Sequence, residues 1–131
     1  MIPLKIRGKK TGDFTTSFAK GLAAETKASK EYEKLGYTVL ARRAKTAAGE
    51  IDLILKAPKT NTILFCEVKT RADLATAAYA ISPAQQQRLL RAADTWMGSK
   101  PEYRGYQLQF DAFLIDGKGT TRRIENAFSL S

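Results

Sequence analysis

The sequence predicts one α/β domain with the element order αβββαββ, its helices packed on a central sheet. Three observations predict this. The chain has 131 residues, the size of a single domain. It is 44% apolar and 27% charged, which supplies a core and rules out a disordered tail. Its apolar spacing also switches several times between the helical rhythm and the alternation of strands, with Gly or Pro at the switches.

The first fourteen residues, MIPLKIRGKKTGDF, carry Lys5, Arg7, Lys9 and Lys10 with two glycines and no sustained period, and they read as a flexible basic arm. The folded domain is expected over residues 15–131. From about Thr15 to Lys34, Phe18, Leu22, Glu25, Tyr32 and Leu35 follow the three-four spacing of a helix, and Gly36 supplies the stop. Tyr37 to Arg42, Glu50 to Lys56 and Asn61 to Thr70 read as three strands of an antiparallel meander, the last two joined by a turn at Ala57-Pro-Lys-Thr60. Residues 71–81 read as a loop of small residues. Ser82-Pro-Ala-Gln85 then opens a second helix, with Ser at the N-cap, Pro at the first helical position and Gln where a capping box needs it. Leu89, Ala93 and Trp96 form its buried stripe until Gly98-Ser-Lys-Pro101 breaks it. Two further strands, Tyr106 to Ile115 and Thr121 to Phe128, flank the glycine-rich turn Asp116-Gly-Lys-Gly119.

Composition limits the chemistry. The chain has 22 Lys and Arg against 13 Asp and Glu, a net charge of +9, and no histidine. Without His there is no Ser-His-Asp or Cys-His nucleophile pair and no zinc site of the usual Cys/His kind, so catalysis would rest on carboxylates, Lys, Tyr or Ser. A lone Cys suits a reducing, cytoplasmic setting. No apolar run approaches a bilayer span, and the first residues lack the apolar core of a signal peptide. Residues 1–45 hold eleven Lys/Arg against four Asp/Glu, so one end is markedly basic. Such an imbalance favours a polyanionic partner, nucleic acid before membrane, although a solvated basic surface has the same composition.

The informative anomaly is a set of charges embedded in apolar patterns. Glu25 falls within the apolar arc of the first helix, where burial is costly without a partner; a salt bridge to a Lys or Arg of the sheet would supply one. In Glu50-Ile-Asp-Leu-Ile-Leu55, alternation places Ile51, Leu53 and Leu55 on one face and Glu50, Asp52 and Ile54 on the other. In Ile63-Leu-Phe-Cys-Glu-Val-Lys69, Glu67 and Lys69 share a face with Ile63 and Phe65. Asp52 precedes Glu67 by fifteen residues, about the distance across a hairpin, so the two carboxylates can face each other with Lys69 one pleat on. Facing carboxylates repel unless a cation or proton intervenes. With a strand-edge carbonyl they make a hard oxygen site suited to Mg²⁺ or Mn²⁺ that keeps several waters. A neighbouring ammonium such as Lys69 orients a metal-bound water and stabilises charge growing on a phosphorus centre. A surface ion-pair ladder accounts for Glu67 with Lys69 but leaves Asp52 opposite Glu67 unexplained.

Glu50-Ile-Asp52 followed by Glu67-Val-Lys69, with Glu25 on the preceding helix, resembles the PD-(D/E)XK nuclease superfamily. Over residues 20–128 the chain resembles, more narrowly, the YraN-like family of small bacterial proteins classed with the endonucleases. The resemblance is carried by Ala24-Glu-Thr-Lys-Ala28, Leu35-Gly-Tyr37, Gly49-Glu-Ile-Asp-Leu-Ile54, Phe65-Cys-Glu-Val-Lys-Thr-Arg71, Ser82-Pro83, Phe110-Asp111 and Glu125-Asn-Ala-Phe128. It implies a restriction-endonuclease-like fold, a mixed sheet of about five strands flanked by helices. It also implies hydrolysis of phosphodiesters, with Asp52 and Glu67 as metal ligands, Lys69 as the catalytic lysine and Glu25 as the helix-borne acid. Archaeal Holliday junction resolvases are similar in this respect. The chain departs from the family pattern at Ala24, where the family has Gly, and at Gln85, where it has Lys. Gln85 is thus either a phosphate contact or the closing residue of the capping box.

The expectation is a Mg²⁺- or Mn²⁺-dependent DNA endonuclease, with Lys9, Lys10, Arg42, Arg43, Lys45, Arg71 and Gln85 as nucleic-acid contacts. The expected partner is DNA and no membrane, and assembly as a homodimer stays open. The rivals are a nucleic-acid-binding module that does not cleave and a scaffold for a protein partner.

Overall fold

The computed structural model describes residues 21–128, apart from the side chains of Ala78 and Tyr79. The predicted arm 1–14, with Lys9 and Lys10, and the boundary at residue 15 lie outside the described residues, as does Phe18. Helix α1 is described over residues 21–34. It is followed by β1 (Thr38–Thr46), β2 (Gly49–Lys56), β3 (Thr62–Thr70), α2 (Leu74–Tyr79), α3 (Pro83–Gly98), a short 3₁₀ turn, β4 (Gln107–Ile115) and β5 (Thr121–Ile124). The strands form one mixed sheet in the order β1-β2-β3-β4-β5. All neighbours are antiparallel except β3 and β4, which run parallel and are joined by the crossover through α2 and α3. This is the α/β architecture of a restriction-endonuclease-like domain.

Each face of the sheet buries its own cluster. On one side Ala24, Ala28 and Tyr32 of α1 pack on Leu53, Leu55, Leu64, Cys66, Phe113 and Ile115. On the other, Leu89, Ala92, Ala93 and Trp96 of α3 pack on Ile51, Ile54, Ile63, Phe65 and Phe110. The stripe of α1 is therefore alanine-led: Leu22 and Leu35, expected inside, are 40% and 56% exposed. Small residues at i, i+4 let the helix lie close to the sheet, and that close approach turns the bulkier leucines outward. Gly36, at φ 93, ends the helix as expected.

Ser82 caps α3, its Oγ accepting the Gln85 N–H at 3.2 Å, with Pro83 in the first turn. The capping box does not close, because Gln85 Oε1 is buried without a hydrogen-bond partner. Three element assignments change, the first being β1, which runs four residues past its expected end at Arg42 and so carries Arg43 and Lys45. Helix α2 occupies what reads as a loop, and β5 ends at Ile124, where the chain turns through Asn126 at φ 50.

That turn completes a buried polar network. Asp111, fully buried on β4, accepts hydrogen bonds at Oδ2 from Tyr32 Oη and Arg123 Nε, both at 2.8 Å. Its Oδ1 accepts from Gln109 Nε2 at 3.0 Å and from the Asn126 N–H at 3.1 Å. Arg123 also donates to Tyr37 Oη at 3.0 Å and lies 4.9 Å from the centre of the Tyr32 ring. The motifs Leu35-Gly-Tyr37, Phe110-Asp111 and Glu125-Asn-Ala-Phe128 thus meet at one point, which ties β4 and β5 to α1.

Candidate active site

The β2–β3 ladder ends at Leu53 with Cys66, and Asp52 and Glu67, the next residue on each strand, lie close together at its end, as their spacing predicts. Asp52 Oδ2 accepts the Val68 N–H at 2.8 Å, which fixes its carboxylate against β3. The alternation changes phase here. Ile51 packs with Ile54 on the α3 side, whereas Leu53 and Leu55 pack toward α1, so Ile51 does not share a face with its two apolar neighbours as strict alternation requires. Across the sheet, Arg43 of β1 sits between the Arg42–Leu53 and Ala44–Ile51 pairs in a left-handed conformation, φ 48. Backbone irregularity on both strands meets at Asp52.

Glu67 is 5% exposed, and its Oε2 lies 3.5 Å from Lys69 Nζ. Burial, the Asp52 charge and a hydrogen bond shared with the Asp52 carboxylate push its pKa up to about 7, against the pull of Lys69 and Arg88. Glu67 thus holds its proton more tightly than an exposed carboxyl does. This gives a sign to the pH dependence of the metal-free protein. The folded-state pKa lies above the unfolded one, so the stabilisation is complete below about pH 4.5 and is lost as pH rises through about 7. Chemical denaturation between pH 4.5 and 8 should show this decline, and Glu67→Gln should flatten it; an unchanged slope in the variant would assign the decline to other groups.

Glu25, 6% exposed, projects from α1 and pairs with Arg43, Oε1 to Nε 3.0 Å. Burial holds its pKa above the usual carboxylate value, with Arg43 pulling the other way and Asp52 and Glu50 adding to the rise. Glu25, Arg43, Asp52, Val68, Lys69 and Arg71 line a cleft of about 500 Å³ that also touches Gly21 and Ala24. Three predicted residues, Glu25, Asp52 and Lys69, therefore share this cleft directly with Arg43 and Arg71, and Glu67 is held beside it by its contacts to Asp52 and Lys69.

The remaining predicted contacts do not converge on it. Arg42 and Lys45 are exposed on β1 and Gln85 stands at the start of α3; none of them lines the cleft. One residue escapes sequence reasoning. Arg88 of α3 donates to the Glu50 carbonyl at 3.4 Å, and its charge acts on Glu67. It crosses Gly49, at φ 142, where a Cβ would stand 2.8 Å from Arg88 Nη1. The glycine before Glu50-Ile-Asp52 was the available signal, since a Gly at a strand start marks close approach of another group. Arg88 itself hides in a polar run, Gln85-Gln-Gln-Arg88, that reads as solvated surface.

The donor set fits a hard divalent cation. Among the described residues no three His, Cys, Asp or Glu side chains converge to cage an ion. Two close carboxylates, one of them buried, suit an ion that keeps several waters and takes its remaining ligands from substrate oxygens, as Mg²⁺ and Mn²⁺ do.

Comparison with known proteins gives one consistent relationship. Residues 24–115 match the profile of a family described as "Uncharacterised protein family UPF0102". A UPF0102 protein of Rhodopseudomonas palustris (strain HaA2) is 42% identical over 119 residues, 91% of either chain. Another, from strain BisB5, is 44% identical over 115 residues, 88% of this chain and 86% of its own. A third, from Bradyrhizobium diazoefficiens, is 43% identical over 115 residues, 88% of this chain and 85% of its own.

Proposed function

The chain belongs to the UPF0102 family, the YraN-like family whose motifs its sequence carries, and from that premise we propose that it is a divalent-metal-dependent endonuclease hydrolysing phosphodiester bonds in DNA. The observation that carries this reading is the closeness of the Asp52 and Glu67 carboxylates beside Lys69, at a cleft with arginines on its walls. A structural ion pair does not need two carboxylates in contact, and the contact costs stability in the absence of a cation. Asp52 and Glu67 would hold Mg²⁺ or Mn²⁺, which when bound supplies Lewis-acid activation of the phosphate and of the attacking water.

Lys69 is anchored by Glu67 and also reaches the cleft, where its ammonium orients the water and stabilises charge on the phosphate oxygens. Arg71, exposed on the cleft wall, offers a bidentate fork to a phosphate; Arg42 and Lys45 on β1 lie where flanking phosphates of a longer strand would run. A cytoplasmic setting belongs to this reading. No helix among the described residues is long and apolar enough to cross a membrane.

The test is cleavage of a panel of branched, nicked, single-stranded and duplex DNA with Mn²⁺. Lys69→Ala should lower the rate by a factor of about 10² or more while calorimetry still records bound metal. Absence of cleavage on every substrate, together with absence of Mn²⁺ binding at millimolar metal, would replace the enzyme by a binding module.

A further inference from the structure

We propose that Arg43 stands in for a cation in the free protein: its guanidinium holds Glu25, and a nucleic-acid phosphate draws it away, so that Glu25 joins Asp52 and Glu67 and metal and substrate bind cooperatively. This rests on the nuclease reading and deepens it. The ion pair is one support, at 3.0 Å and inside the cleft that Asp52 and Lys69 also line. Glu25 is almost fully covered, whereas a third of the Arg43 side chain remains exposed. The arginine is thus the partner that a ligand entering the cleft meets.

The backbone is the second support. Arg43 adopts φ 48 in the middle of a strand, directly across from Asp52. A non-glycine residue there costs about 1 kcal/mol or more, and such conformations persist where the surrounding structure uses them. Here the conformation accompanies a guanidinium lying over the start of the described part of α1, where a Cβ on Gly21 would come within 3.1 Å of Nη2. The third support is the absence, among the described residues, of three convergent acids. Glu25, Asp52 and Glu67 all belong to this region, yet Glu25 is matched to Arg43, Glu67 to Asp52 and Lys69, and Asp52 to the Val68 N–H. An arginine fork matches a phosphate bidentately and is more weakly hydrated than an ammonium, so exchange of carboxylate for phosphate is chemically direct.

The coupling is reciprocal, so each ligand should tighten the other by one common factor. Titration calorimetry with Mn²⁺, with and without a short phosphorothioate oligodeoxythymidine, measures it without cleavage. For the native chain the oligonucleotide should tighten Mn²⁺ binding by about tenfold. Asn tolerates the left-handed region, so Arg43→Asn removes the charge without straining β1. It should tighten Mn²⁺ binding alone by about tenfold and leave the oligonucleotide with less than about a threefold further effect. An unchanged affinity for Mn²⁺ alone overturns the proposal and leaves the Asp52 and Glu67 site standing. No Mn²⁺ binding by the native chain under either condition overturns the nuclease reading, and this proposal with it.

A second variant leaves β1 untouched. Glu25→Gln removes the carboxylate that holds Arg43 and should raise metal-free affinity for the oligonucleotide by about threefold more than Glu31→Gln, which makes the same charge change on α1 outside the cleft. Equal effects of the two would show that the Glu25–Arg43 pair is only structural.

Discussion

Asp52→Asn is expected to abolish cleavage, by about a thousandfold or more, and to weaken Mn²⁺ binding while leaving the metal-free protein as stable as before or more so. The loss of activity follows from removing a charge at the metal, whose electrostatic contribution to hydrolysis is several kcal/mol. The stability result follows from geometry. Asn keeps an oxygen that accepts the Val68 N–H, now at 2.8 Å from Asp52 Oδ2, so no buried donor is orphaned. It also removes the charge that raises the Glu67 pKa, so the strand pair loses a repulsion. Urea denaturation and Mn²⁺ calorimetry on one preparation measure both. If Asp52→Asn destabilised the metal-free fold by several kcal/mol and bound Mn²⁺ as tightly as the native chain, Asp52 would be a structural acid and the nuclease reading would fail.

Asp111→Ala should do the reverse, costing about 3–5 kcal/mol of stability, the usual penalty for breaking a buried ion pair from one side. The residue is fully buried and accepts four hydrogen bonds, so truncation takes a partner from the Arg123 guanidinium, the Tyr32 hydroxyl and the Asn126 N–H together. Arg123→Ala alone should cost a similar amount. The double variant should cost much less than the two singles combined, since the second truncation removes a partner already lost. A loss below about 1 kcal/mol on urea denaturation of Asp111→Ala would mean that solvent replaces these contacts.

The two acids also show what was legible in the chain. Asp52 and Glu67 could be read because hairpin spacing is a local rule, which the β2–β3 register obeys up to Leu53 and Cys66, although the alternation of β2 slips at Ile51. Asp111 stands in an equally apolar strand, but apart from Gln109 its partners come from α1, from β5 and from the turn after it, and no local rule brings those together. The same holds for the parallel pairing of β3 with β4, which entered the expected fold only through the family resemblance. Helix α2 has six small or apolar residues, too few for a period to show against a loop. On α1 the inward arc holds Glu25 and Tyr32 as the spacing predicts, but Ala24 and Ala28 complete it where Leu22 and Leu35 were expected. Of the site, Glu25, Asp52, Glu67 and Lys69 were legible as charges out of place. Arg88 was not, because a charge in a polar helical run is unremarkable until its neighbour is known.

The parallel pairing has a kinetic consequence. Strands β1, β2 and β3 follow one another through short turns, so the meander closes at little entropic cost and can form as soon as it leaves the ribosome. The β3–β4 ladder must wait until residues 71–106 have been made and folded back over the sheet. Until then Leu64 and Phe65 of β3 present an apolar edge with no neighbour, and β4, whose last six residues are all buried in the finished fold, is equally bare. Docking of β4 and locking of Asp111 onto Arg123 are therefore late events, and the interval before them is when this chain is most exposed to aggregation.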